Sequence, residues 1–434
     1  MRLLKASLSV FLTHMLLQGV SVLPAVLISR RFGAEGKGLM ALWLYVPAVL
    51  CALSSLGMGG AAQFFVSRKT DSPAEQLGNI LLLPLLTAAL VVVGFYLTYE
   101  WWRPHLEDIS FARMIPALLI LPTSLVQSHC SQLLISLGRV AQRNVVQVVQ
   151  TTSSALLIAA LILFPEVSVD QALWGYIVGF ALGAALAFYF ARIAAGGVRL
   201  PSGELTARSL AYGFWVYLSA LVRLLAQRIS FFLLVALSTL ADAGVFSVCL
   251  TITSPLVTLP WSVQAVLFPV SAAQSEAEAR LHTPRYLRQL LIVLVALAAG
   301  IIILSKPLLA LFGSEFVVGQ TALIILLLGV LLAGQNTIFT TFIQGRGKPV
   351  LTTVATAASF AVTLILSLLL IPRFGLLGGA LATVVGQATI ALISLGIYLR
   401  LAETSPLEIY RFRRGDLDVF RSIKSTLLEF VRRS

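Results

Sequence analysis

Long apolar runs alternate with short polar stretches along the whole chain. A bilayer's hydrocarbon core takes about 20 apolar residues of helix. Runs of that length predict twelve helices, over 8–29, 39–66, 77–99, 111–137, 145–164, 172–195, 209–237, 244–272, 288–311, 317–343, 350–371 and 376–399. The first run has no small-residue cleavage site after it, so a retained helix is expected and not a signal peptide. The polar connections are short. Those around 100–110, 196–208 and 273–287 are the longest, which leaves no room for a soluble catalytic or nucleotide-binding domain. No G-x-x-x-x-G-K-[ST] occurs, so ATP is not expected as the direct energy source.

Loop charge tests the twelve-span reading. With alternate loops assigned to two sides, one side collects 22 Lys and Arg, from Arg2 and Lys5 through the eight that begin at Arg400. The other side holds seven: Arg30, Arg31, Lys37, Arg103, Arg113, Lys306 and Arg373. Basic loops stay on the cytoplasmic face. Both termini are therefore expected in the cytoplasm.

Composition supports a lipid solvent. The chain has 434 residues, of which 58% are hydrophobic and 11% charged. Soluble domains carry about 25% charged residues. Mean hydropathy is +0.94. A soluble enzyme, a disordered protein and a disulfide scaffold are thereby excluded. The formal charge is +13, but the bases are spread through loops with no aromatic-interleaved basic face. They suit topology and anionic membrane lipids, and nucleic acid is not expected as a partner. Cys51, Cys130 and Cys249 lie in apolar runs with no ligand spacing, so no metal or cofactor is expected.

The tail over 401–434 reads differently. Leu417, Phe420, Ile423, Leu427 and Val431 recur at helical spacing among arginines, as in a basic amphipathic helix on the inner leaflet.

The runs also repeat. Gly138-Arg139 matches Gly345-Arg346 at an offset of 207, as Pro165 matches Pro372 and Gly179 matches Gly386; Gly38 matches Gly244 at 206. The fold class expected is an all-α polytopic membrane protein. Its twelve helices form two parallel six-helix bundles, 1–200 and 201–400, around a central cavity. Substrate in such transporters sits between the repeats near the midplane.

Ionisable groups inside a membrane are costly and mark function by default. No Asp or Glu lies mid-span. Arg223 and Arg228 do, both in the seventh run. They suit an anionic substrate, since guanidinium binds phosphate bidentately; snorkelling to the interface is the bland alternative. Five positions separate them, about 140° around a helix. His14 and Gln18 share one face of the first span, the repeat counterpart of the seventh. His14 either hydrogen-bonds inside a bundle or titrates as a proton-coupling group. Gln63 and Gln227 are among the amides that either glue helices or line a hydrated path. The candidate cavity residues are thus Arg228, Arg223, Gln227, His14, Gln18 and Gln63.

Several segments are familiar. "LISRRFGAEGKGLMALW" and "LGMGGAAQFFVSRK" resemble the opening of Wzx-type polysaccharide-biosynthesis flippases, relatives of MATE exporters and lipid II flippases. "LAQRISFFLLVALSTLADAGVFSVCLTI" and "VLFPVSAAQSEAEAR" resemble the start of that family's second half, and "IPRFGLLGGALATVVGQ" its last two spans. The resemblance covers about residues 1–400. It implies two bundles forming a V and movement of undecaprenyl-pyrophosphate-linked oligosaccharide across the bacterial inner membrane. It also implies cationic cavity residues at Arg223 and Arg228, with a glycan polymerase as a possible partner. Ser230 stands where many relatives carry an acid. A small-molecule exporter, a flippase for a peptidoglycan precursor, and a membrane glycan polymerase are the alternatives at this point.

Overall fold

The computed structural model describes residues 2–106, 109–273 and 276–411. Among the described residues the chain is helical with no strand. In the first part run α1 (Arg2–Ser55), α2 (Met58–Ser67), α3 (Pro73–Leu97), α4 (Tyr99–Trp102), α5 (Phe111–Leu118), α6 (Ile120–Ser136), α7 (Val140–Ile162) and α8 (Val169–Ala195). The second part holds α9 (Gly203–Leu237), α10 (Leu240–Ala273), α11 (Glu276–Ile303), α12 (Ser305–Ala310), α13 (Gln320–Gly345), α14 (Pro349–Ala402) and α15 (Pro406–Tyr410). The amphipathic helix expected around Leu417–Val431 lies outside the described residues.

Among the described residues ten helical stretches are long and apolar enough to cross a membrane. Two are far longer than one crossing needs: Leu16–Ser55 has 40 residues and Val350–Ala402 has 53. Each contains a break at a glycine. Gly33 (φ 69°, ψ −169°) interrupts α1, and Gly375 (φ 48°, ψ −125°) interrupts α14. Both conformations are open to glycine and strained for other residues.

The other boundaries follow local chemistry. Ser168 and Gln171 form a reciprocal capping box at the start of α8, and Gly196 ends that helix in a left-handed turn. The Ser202 hydroxyl accepts from the Leu205 amide at 3.2 Å and starts α9. Two sequence expectations are corrected. The run over 39–66 is not one helix, because left-handed Leu56 and Gly57 separate α1 from α2. The expected connection over 273–287 is largely helical, since α11 already begins at Glu276. Its polar residues extend the helix beyond the apolar run, where hydropathy gives no signal.

Apolar side chains cover both the inside and the outside. Trp43, Phe231, Phe246 and Phe339 are fully buried, while Leu90, Leu156, Leu163 and Ile303 are exposed. An apolar exterior is what lipid contact requires. Exposed Tyr96, Trp101 and Trp102 cluster at the end of α3 and in α4, as aromatic side chains do at the headgroup level.

The sequence repeat has a structural counterpart. A Cβ on Gly38 would run into the Leu240 carbonyl, and one on Gly244 into the Ala34 carbonyl. The contact is reciprocal, and each pair is offset by 206, as two copies meeting about a two-fold would make. Deeper in each half, Gly179 faces the Ser154 hydroxyl and Gly386 faces that of Thr363. Small residues at these crossings let helix backbones approach closely.

One helix is shared by the parts on either side of residue 200. The first turns of α9 pack on α2 and α3. Arg208 pairs with Asp71 at 3.0 Å, Thr206 donates to Asn79 at 3.1 Å, and Tyr212 stacks on Phe64 at 4.3 Å. Farther along, Ser230 of α9 meets Ser367 at 3.3 Å and accepts from Thr383 at 2.9 Å, both on α14.

Candidate functional site

A cavity of about 440 Å³ opens among the membrane helices. Ser21, Pro24, Leu44, Tyr45, Ala48 and Cys51 line it from α1, and Ser124 and Ser128 from α6. Gln150, Thr151 and Ser154 come from α7, and Tyr176 and Phe180 from α8. Every lining residue precedes residue 200 except Arg228, which α9 sends in from the other side.

The lining has a definite chemistry. It contains hydroxyls, one amide, aromatic rings and one cation, and no carboxylate. The polar groups are held by their own helices or neighbours. Ser124 donates to the Ile120 carbonyl at 2.6 Å, and the Gln150 side-chain oxygen accepts from Gln127 at 3.2 Å. The Arg228 guanidinium carbon lies 4.0 Å from the centroid of the Tyr45 ring, a cation–π geometry. The same ring meets Phe231 edge-on, at 4.7 Å and 81°.

Arg228 is therefore the one expected site residue that lines the cavity. Arg223 and Gln227 sit on the same helix but are exposed and outside the lining. Gln18 acts as glue: its side-chain nitrogen donates to Thr258 at 3.2 Å and its oxygen accepts from Ser254 at 3.0 Å. Those bonds tie α1 to α10. Gln63 is half-buried on α2 and outside the lining. The side chain of His14 lies outside the described residues.

Tyr45 and Tyr176 carried no sequence signal. A tyrosine inside an apolar run resembles any packed aromatic, and only the fold turns these two toward a cavity. His129 was likewise silent. It is buried on α6 against Gly59, and its Nδ1 has no hydrogen-bond partner.

On the side that holds Gly33 and Gly375, the parts before and after residue 200 are closed against each other. The Arg30 side chain donates to the Leu311 carbonyl at 2.8 Å. A Cβ on Gly33 would lie 2.9 Å from a Glu315 carboxylate oxygen, and one on Gly375 2.7 Å from that of Asp242. The Gly38–Gly244 contact belongs to the same seam.

This arrangement of helices has relatives. The model of the family described as "Polysaccharide biosynthesis protein" matches residues 3–275. The chain belongs to that family. It is 21% identical over 394 residues to the "Probable low-salt glycan biosynthesis flippase Agl15" of Haloferax volcanii, covering 89% of this chain and 82% of that protein. Two solved structures share its fold. The lipid II flippase MurJ in an inward closed conformation aligns with a TM-score of 0.71 at 16% identity, covering 97% of each chain. An inward-facing multidrug resistance MATE family transporter of the MOP superfamily aligns at 0.69 and 15%, covering 92% of this chain and 99% of that one. The all-helical, multi-pass membrane architecture expected from the sequence is thus that of the MATE and MurJ transporters.

Proposed function

We propose that this protein is a flippase for lipid-linked oligosaccharide in the synthesis of a surface polysaccharide. The observation that carries the reading is the cavity: a carboxylate-free, hydroxyl- and tyrosine-lined space inside the membrane helices, with one arginine entering from the second part of the chain. Hydroxyls and amides suit the hydrogen bonds of sugars, and guanidinium suits phosphate. An exporter of organic cations needs acidic groups in its cavity, and this lining offers none. The relative from Haloferax volcanii bears a glycan flippase name, which supports the same reading.

In this reading the cargo is an undecaprenyl-pyrophosphate-linked repeat unit in the cytoplasmic membrane of a bacterium. Arg228 neutralises the phosphate, the glycan occupies the cavity, and the lipid chain trails between helices. Each long helix broken at Gly33 or Gly375 counts as two crossings, making twelve in two bundles of six. Both termini face the cytoplasm, as loop charge suggests. The bundles rock, the seam at Gly38 and Gly244 opens outward, and the glycan leaves. No bond is made or broken, so the protein is a transporter and not an enzyme. A downstream glycan polymerase removes the product.

The test is a deletion strain complemented with the intact gene or with Arg228→Ala. Complete repeat units held on the cytoplasmic face, released by the intact gene but not by Arg228→Ala, are the expected result. Repeat units that reach the outer face but stay unpolymerised in the deletion strain would overturn the flippase reading.

A further inference from the structure

We infer that Tyr45 is the positioning residue for Arg228, and that closure of the Gly38–Gly244 seam is what brings the two together. The inference rests on the proposed role of Arg228 as an anion-binding group. It adds a residue to that site and a link between the site and the gate.

The geometry starts with the ring. Tyr45 is on α1 and Arg228 on α9, so their contact at 4.0 Å crosses between the two parts of the chain. Phe231 lies three positions after Arg228, on the same helical face, and is fully buried. Its edge-on contact at 4.7 Å fixes the Tyr45 ring. One face of that ring is then presented to the guanidinium.

The chemistry follows from how arginine uses its two surfaces. Its flat face stacks on aromatic rings and is poorly hydrated, whereas its N–H donors point outward in the plane of the group. Stacking on Tyr45 therefore spends none of the donors. It orients the fork and leaves it to a phosphate, which binds in the plane. A long side chain that is already oriented loses less entropy on binding.

The link to the gate is the helix itself. Gly38 and Tyr45 are seven residues apart, about 10 Å along the helix and nearly on one face. No break separates them, since the interruption of α1 is at Gly33. Gly38 is locked against Leu240 while Gly244 is locked against Ala34. A movement that parts the seam carries Tyr45 along, away from the helix that bears Arg228. The anion site is thus assembled while the seam is shut and released when it opens, which gives cargo high affinity before translocation and low affinity after.

The probe is farnesyl pyrophosphate, titrated calorimetrically against the full chain in lipid nanodiscs. The intact protein and Arg228→Ala set the range. Tyr45→Leu is expected to weaken binding about five- to thirtyfold, the range of a partly desolvated cation–π contact. Tyr45→Phe keeps the ring and is expected to bind within about twofold of the intact protein. Gly244→Ala, which forces the seam apart, is expected to weaken binding in the native background but not in Tyr45→Leu.

Tyr45→Leu binding as well as the intact protein, while Arg228→Ala binds poorly, overturns the inference and leaves the flippase reading standing. Equal loss in Tyr45→Phe and Tyr45→Leu also overturns it, because the hydroxyl would then be what matters. Additive losses for Gly244→Ala and Tyr45→Leu refute the link to the seam. An intact protein that binds the probe no better than Arg228→Ala overturns the anion site and the inference together.

Discussion

Gly33→Ala isolates the break in α1. The backbone there has φ 69° and ψ −169°, a region held almost only by glycine, where another residue costs about 1–3 kcal/mol. The added methyl would also lie 2.9 Å from a Glu315 carboxylate oxygen, which must shift. Together these predict a loss of roughly 2–3 kcal/mol. Gly94→Ala is the matched control. Gly94 is inside α3, and a Cβ there meets nothing within 4 Å. In a helix interior that change is expected to stabilise by about 0.5 kcal/mol. Reversible unfolding in mixed detergent–SDS micelles measures both. If Gly33→Ala unfolds within about 0.5 kcal/mol of the intact protein, then α1 does not turn on a glycine-only conformation and the two-crossing reading of that helix loses its physical basis.

Other consequences are open to measurement. Arg228→Ala is expected to abolish complementation of glycan export, whereas Arg223→Ala, which alters an exposed residue outside the cavity, is expected to leave at least half of it. Arg208→Ala strips the charged partner from Asp71, whose side chain is 1% exposed; a loss of about 1–3 kcal/mol in the same unfolding assay is expected. Ser230→Asp is expected to cut the yield of folded protein in detergent extracts. The Ser230 side chain faces Ser367 and Thr383 on α14 and not the cavity, so the new carboxylate would be buried among hydroxyls. Normal yield with restored export would show instead that an acid at this position reaches Arg228.

Much of the architecture is legible from local pattern because lipid imposes a local rule. A crossing helix must be apolar for about 20 residues and must satisfy its own backbone. Hydropathy and loop charge therefore determine that this chain is helical, multi-pass and embedded. The repeat is legible as well, since Gly38 and Gly244 keep their spacing where backbones must touch. Helix ends are less legible: polar Glu276 still extends α11, and Gly57 ends a helix inside an apolar run.

The site divides along the same line. An arginine in an apolar run stands out in any sequence, because burying its charge is expensive, and Arg228 is such a residue. Which of the polar candidates meets a cavity depends on helix rotation and on partners far away in the chain. Gln18 and Arg228 look alike as exceptions in an apolar run, yet Gln18 is occupied by Ser254 and Thr258 while Arg228 faces open space. Tyr45 has no signal of its own and gains its place only because two distant helices cross beside it. Sequence alone determined the solvent, the helices and the one costly cation. Tertiary structure alone decided which side chains surround that cation, since such contacts come from packing between helices and not from the order of residues within one.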